Sequence, residues 1–313
     1  MKRAFFSALL MFAVMLVLTI SLRFSWPSLA KATTRTLVWS DEFNGAVGTG
    51  VNTANWLYDI GTGYGCSGCS SNWGTGEIEK MSDSRANVYL DGAGHLAIKP
   101  IRSASGAWTS GRIETRRTNF AAPIGGIMAV EASIQMPNVT GAAAAGYWPA
   151  FWMLGTQFRG NYLNWPSVGE IDIMENVNGL NKEWGTLHCG ISQGGPCKET
   201  VGIGGQRVCS PKTCQAGFHT YRVDYDRSVS PEEIRWYLDG VKFWQVNSNQ
   251  VDTTTWANAL HHGFFIVLNV AMGGGFPAAF GGGPTDSTIS GIPMLVDYVR
   301  VYASIPGINR PLV

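Results

Sequence analysis

The run GEIDIMEN at residues 169–176 constrains what this chain can fold into more than any other stretch. It places Glu170, Asp172 and Glu175 close together, separated by Ile171, Ile173 and Met174. Acids alternating with β-branched residues read as a strand with one wet and one buried face, because side chains alternate at period 2. Glu170 and Asp172 then share a side. Strict alternation would send Met174 to the acidic side and turn Glu175 into the core, where an unpaired carboxylate is costly. One extra residue at Ile173-Met174, a β-bulge, removes the conflict and returns Glu175 to the side of the other two acids.

Other stretches carry the same period. NVYLDGAGHLAI (residues 87–98) and IRWYLDGVKFWQV (234–246) read as hairpins joined by Asp-Gly turns. TLVWSDEF (36–43) reads as an edge strand running into an acidic turn, and strands are expected at 112–115, 127–136, 218–226, 264–270 and 296–302. Residues 253–260 predict the one short helix, 56–73 a long loop, and 194–214 a loop with no assigned place. Gly accounts for 39 of 313 residues while charged residues are only 14%, which favours a turn-rich β protein over helices held by ion pairs. Many short strands with glycine turns fit an all-β fold, a jelly-roll sandwich of two curved antiparallel sheets with one concave face.

The chain opens with Lys2 and Arg3, an apolar run over residues 4–22, and Ala30-Lys31-Ala32, a small-x-small pattern. This reads as a signal peptide over 1–32 followed by one domain over 33–313, with a retained membrane anchor as the rival. Loss of that segment removes Lys2, Arg3, Arg23 and Lys31 and takes the formal net charge from +1 to −3. No basic stripe points to nucleic acid. Six cysteines suit an exported protein; the simplest pairing is local, Cys66-Cys69, Cys189-Cys197 and Cys209-Cys214. A zinc site drawing on Cys66, Cys69, Cys209 and Cys214 is the functional rival.

With the bulge counted once, Glu170 and Glu175 lie about four strand steps apart, roughly 13 Å between α-carbons. Side chains leaning together could reach the ~5 to 5.5 Å at which one carboxylate attacks a sugar carbon while another protonates the leaving oxygen. Three acids on one face cannot all ionise cheaply, so at least one pKa should rise, as a general acid near neutral pH requires. The competing readings are a solvated acidic strand or a cation site. The aromatic run YWPAFWMLG at 147–155 and the absence of a basic residue within GEIDIMEN favour paired carboxylates.

The acidic run resembles the signature of glycoside hydrolase family 16 in its bulged, laminarinase-like form. The resemblance extends to VWSDEF (38–43), SGRIETR (110–116), WPAFWMLG (148–155), WYLDG (236–240), LNVAMGG (268–274) and VDYVRVY (296–302), and so covers essentially everything after residue 36. It implies a concanavalin A-like sandwich in which Glu170 is the nucleophile, Asp172 its helper and Glu175 the acid/base. It places Trp73, Trp148 and Trp152 at the cleft and His188 beside the glutamate pair as a supporting group. Arg112 could anchor the acidic face or a substrate hydroxyl, or form a structural ion pair. A structural calcium site at Glu42, Gly94 and Asp297 is implied, and no cofactor for catalysis. The expected protein is a secreted, monomeric endo-β-1,3-glucanase acting on a β-glucan, with no protein partner. The alternatives are action on mixed-linkage glucan or galactan, transglycosylation, or glucan recognition without hydrolysis.

Overall fold

The computed structural model describes residues 35–304, which form two large antiparallel sheets. The segment expected to direct export, residues 1–32, lies outside them. One sheet has seven strands in the order Ile203–Arg207, Glu183–His188, Glu170–Glu175, Tyr147–Gly155, Phe264–Met272, Arg112–Thr115 and Trp56–Tyr58. The other runs Val241–Asn247, Glu233–Leu238, His219–Asp226, Ile127–Gln135, Met294–Ser304, Leu96–Ile98 and Val88–Leu90. Thr36–Asp41 also pairs with Met294–Ser304, so Trp39 lies opposite Val301 and the last strand returns beside the first.

Alternation explains how the sheets stack. Phe151, Met153, Ile171, Ile173, Met174 and Leu187 from the seven-stranded sheet meet Val130, Ile134, Tyr221, Val223, Trp236 and Val299 from its partner in one buried core. Each large apolar side chain so placed contributes about 1.5–3 kcal/mol. Strand Phe264–Met272 is buried along its whole length. Phe264, Ile266, Leu268 and Val270 join the main core, whereas Phe265 and Val267 pack with Leu154, Phe158 and Val168 in a second cluster. A strand covered on both faces has no wet side, which is why its sequence is apolar apart from the buried Asn269.

Both expected hairpins form, Val88–Leu90 with Leu96–Ile98 and Glu233–Leu238 with Val241–Asn247. The three local cysteine pairs are disulfides, which removes the zinc alternative. Helix Thr253–Leu260 also forms, capped by the Asp252 carboxylate, which accepts from Thr255 N at 2.9 Å.

It is not the single helix expected, however. Gly275–Ala279 forms a second, obscured by a glycine run that reads as a turn. The unplaced loop also holds a strand, Ile203–Arg207, paired with residues 183–187. Its central Gly204 and Gly205 hide the alternation by which a strand is recognised. Among the described residues no helix is long and apolar enough to cross a membrane.

Candidate active site

The bulge is where the acids require it. On one side of the acidic strand Ala150 pairs with Glu175 and Phe151 with Met174, but Trp152 pairs with Asp172, leaving Ile173 as the extra residue. On the other side Asp172 faces Thr186 and Glu175 faces Trp184, the same one-residue shift. Ile171, Ile173 and Met174 all reach the core, and the three acids share the opposite face. The Asp172 carbonyl accepts from the indole Nε1 of Trp236, reaching across from the other sheet at 2.7 Å. That buried bond satisfies main chain at the bulge.

Each acid has its own surroundings. Trp148 Nε1 donates to Glu175 Oε1 at 2.8 Å, and Trp165 Nε1 donates to Glu170 Oε2 at 3.1 Å. Burial and the neighbouring Asp172 push the Glu175 carboxyl well above the usual range, against the Trp148 hydrogen bond. Burial and Asp172 likewise push Glu170 up to about 8, while His188 and Arg112 work in the other direction.

His188 pairs with Glu170 across the strands, and its Nε2 lies 3.2 Å from Asp172 Oδ2. Its Nδ1 lies 2.7 Å from Glu199 Oε2. Glu199 belongs to the stretch left without a place by the sequence. The only hint was its position two residues after Cys197, whose disulfide to Cys189 returns the chain to the end of the His188 strand.

The aromatic residues divide between contact with the acids and support of the wall. Trp148 and Trp152 share the acidic face, with Trp152 Nε1 donating to Asn269 Oδ1 at 2.7 Å. Arg112 is only 4% exposed; its Nε donates to Asp59 at 2.8 Å and its Nη2 to the Tyr64 hydroxyl. The guanidinium lies over Trp73 at 4.5 Å and over Trp152 at 4.8 Å. Of the readings open for Arg112, the structure forms the ion pair, with the guanidinium stacked on Trp73 and Trp152. A further aromatic group was not singled out from the sequence: Phe276 packs against Trp148 at 5.7 Å and Trp184 at 5.4 Å, and Phe280 against Trp184 at 5.2 Å. Phe276 sits on the helix missed in the glycine run, so the signal for both was lost together.

Two places bear on metals. Glu170, Asp172 and His188 present donor atoms within 4.8 Å of one another. A carboxylate stands at each ring nitrogen of His188, at 2.7 Å from Nδ1 and 3.2 Å from Nε2, and Nδ1 is engaged by Glu199. At the expected calcium position, Asp41 faces Val299 and Val296 faces Leu96, which draws Glu42, Asp297 and Gly94 toward one end of the second sheet. The Glu42 carboxylate has a partner of its own. Arg300 clasps its carboxylate at 3.0 and 2.7 Å and holds its pKa below the usual value. Glu42 and Gly94 could therefore offer only main-chain carbonyls, beside the Asp297 carboxylate, an all-oxygen set that suits calcium.

Two antiparallel sheets packed face to face, with a row of carboxylates among aromatics on the outer side of one, define the class of jelly-roll proteins carrying a carboxylate site. A family profile described as "XgeA-like, catalytic GH16 domain" matches residues 125–200. The chain is 32% identical to glucan endo-1,3-beta-glucosidase A1 of Niallia circulans over 282 residues, covering 85% of this chain but only 37% of that protein. It is 31% identical to glucan endo-1,3-beta-glucosidase of Cryptopygus antarcticus, covering 81% of this chain and 85% of the relative. Among solved structures, the endo-1,3-beta-glucanase of Streptomyces sioyaensis superposes with a TM-score of 0.86 at 62% identity, covering 90% of this chain and 100% of that one. The chain belongs to glycoside hydrolase family 16.

Proposed function

We propose that this protein is an endo-acting β-1,3-glucanase that cleaves with retention of configuration. The observation that carries the reading is the bulge, which sets Glu170, Asp172 and Glu175 on one face with separate partners for the two glutamates. The names of the relatives, glucan endo-1,3-beta-glucosidases and an endo-1,3-beta-glucanase, support the choice of substrate.

In this mechanism Glu170 attacks the anomeric carbon as Glu175 gives its proton to the departing glycosidic oxygen. Glu175, now ionised, takes a proton from water, which attacks the same carbon and releases Glu170. Asp172 stands between them and keeps their protonation states distinct. Trp148 and Trp152 supply flat apolar faces on which sugar rings pack, with Trp73 as a further platform. The acid row on an open sheet face suits attack within a polymer. The reaction uses no cofactor; a calcium ion held by the Glu42 and Gly94 carbonyls and Asp297 would stabilise the second sheet at a distance from the acids.

The same reading has residues 1–32 directing export and being removed, and residues 33–313 acting as a monomer with a polysaccharide as their only partner. The deciding experiment is release of reducing ends by the purified protein from laminarin, mixed-linkage β-glucan, agarose and galactan in parallel. Release from laminarin above the others is expected. Release only from another polymer would move the specificity, and binding of laminarin without release would defeat the hydrolase reading.

A further inference from the structure

The loop leaving Cys189 folds back over His188 before entering strand Ile203–Arg207. It carries Glu199 into a site where the residue is 5% exposed and both oxygens have donors. Oε1 accepts from Cys189 N at 2.8 Å, and Oε2 faces His188 Nδ1 at 2.7 Å. Gly202 covers the ring: at φ +75°, a β-carbon there would fall 2.9 Å from His188 Cε1 and 3.0 Å from Nδ1. Glutamate, imidazole and aspartate thus stand in line, ending at Asp172 beside Glu170.

A neutral imidazole has one bare nitrogen, and either nitrogen left bare would point a lone pair at a carboxylate oxygen 2.7 or 3.2 Å away. A ring with N–H on both sides gives Glu199 Oε2 a donor at 2.7 Å and sets a positive charge 3.2 Å from Asp172 Oδ2, a buried oxygen with no other partner among the described residues. We propose that Glu199 is a positioning residue for the cleavage described above: it holds His188 as an imidazolium, and the imidazolium fixes the Asp172 carboxylate in its place beside Glu170. The inference rests on the assignment of Glu170, Asp172 and Glu175 as the reacting row.

The charged groups around the ring are Asp172 and Glu170 on the adjacent strand and Glu199 on the returning loop, with Trp165 tilted against it at 5.7 Å. Burial opposes the positive charge, but the hydrogen bonds to Asp172 and Glu199 outweigh it and hold the His188 pKa well above its ordinary value. Asp172, so oriented, raises the cost of ionising Glu175 and Glu170 together. The Cys189–Cys197 disulfide pins the loop that delivers this support.

The test combines the nitrogen NMR spectrum of His188 between about pH 5 and pH 9 with the kinetics of Glu199→Gln on laminarin. The native ring is expected to keep both N–H groups well above the pH at which an ordinary histidine loses one, and the variant ring to titrate near its ordinary ~6.5. In Glu199→Gln, kcat should fall about 10- to 100-fold with KM within about twofold, and the pH profile of kcat/KM should shift. Glu199→Asp, which keeps the charge, should recover part of the loss. A neutral native His188 at about pH 6, or a Glu199→Gln enzyme with native kcat and pH profile, overturns the proposal. Should Glu199→Gln fail to fold, the native spectrum and Glu199→Asp decide. An active Glu170→Gln would instead remove the hydrolytic assignment, while the protonation of His188 would still be read directly.

Discussion

The proposed mechanism asks Glu175 to act as an acid near neutral pH, and its surroundings favour the protonated form. Burial and Asp172 raise its pKa further than the Trp148 hydrogen bond lowers it. The proposed mechanism therefore has kcat/KM falling on the acid side as Glu170 is protonated and on the alkaline side as Glu175 loses its proton. Glu175→Gln should lower kcat by about 10²- to 10⁴-fold and abolish the alkaline limb, which a pH profile on laminarin reads. Glu170 supports a stability prediction with a definite sign. Its folded-state pKa, pushed up to about 8, lies above the unfolded value, so its contribution to stability is full below the ordinary glutamate range and is lost as pH rises toward 8. Glu170→Gln should thus be inactive, melt with the native protein at about pH 5, and melt a few °C above it at about pH 9 by calorimetry. The three acids were legible in the sequence because their spacing is local. Glu199 was not, because its partner lies eleven residues back along the chain and is reached only through a disulfide loop.

At the scale of the element, the acidic strand works through one residue too many. The need for a bulge could be read from the sequence, since Glu175 and Met174 cannot both be served by strict alternation. The bond that serves it could not. Trp236 sits 64 positions away on the other sheet, and nothing local marks its indole as the partner of the Asp172 carbonyl. Trp236→Phe keeps most of the packing but strands that buried carbonyl, which should cost about 1–3 kcal/mol in urea unfolding. Deleting Ile173 removes the extra residue and leaves Met174 inward and Glu175 outward in strict alternation, so Glu175 should stay on the acidic face: reducing-end release should persist at a reduced rate while loss of a core side chain lowers the urea midpoint. Among the strands escaping notice, Ile203–Arg207 has glycines in place of alternation, and Trp56–Tyr58, Lys80–Met81, Ile101–Arg102 and Trp108–Ser110 are too short to display it.

Across the whole molecule, one apolar core joins both sheets, so the acidic face and the sheet behind it should be lost in a single cooperative transition. Phe151→Ala, at the centre of that core with no exposed surface, should cost about 3–5 kcal/mol, and heat inactivation should coincide with unfolding monitored by circular dichroism. The sandwich was legible because turn residues and alternation recur along the chain, while the stacking of one sheet on the other depends on contacts no local pattern encodes. The Arg112 group has a thermodynamic consequence. Its guanidinium is already held by Asp59 and Tyr64 and lies over Trp73 and Trp152 before any sugar arrives. In the proposed reading a polysaccharide meets a wall whose torsions are already set, and little conformational entropy is left to lose on association. In a calorimeter, the heat-capacity change on binding an oligosaccharide to the inactive Glu170→Gln protein should track the apolar area covered, with no added contribution from ordering of the wall.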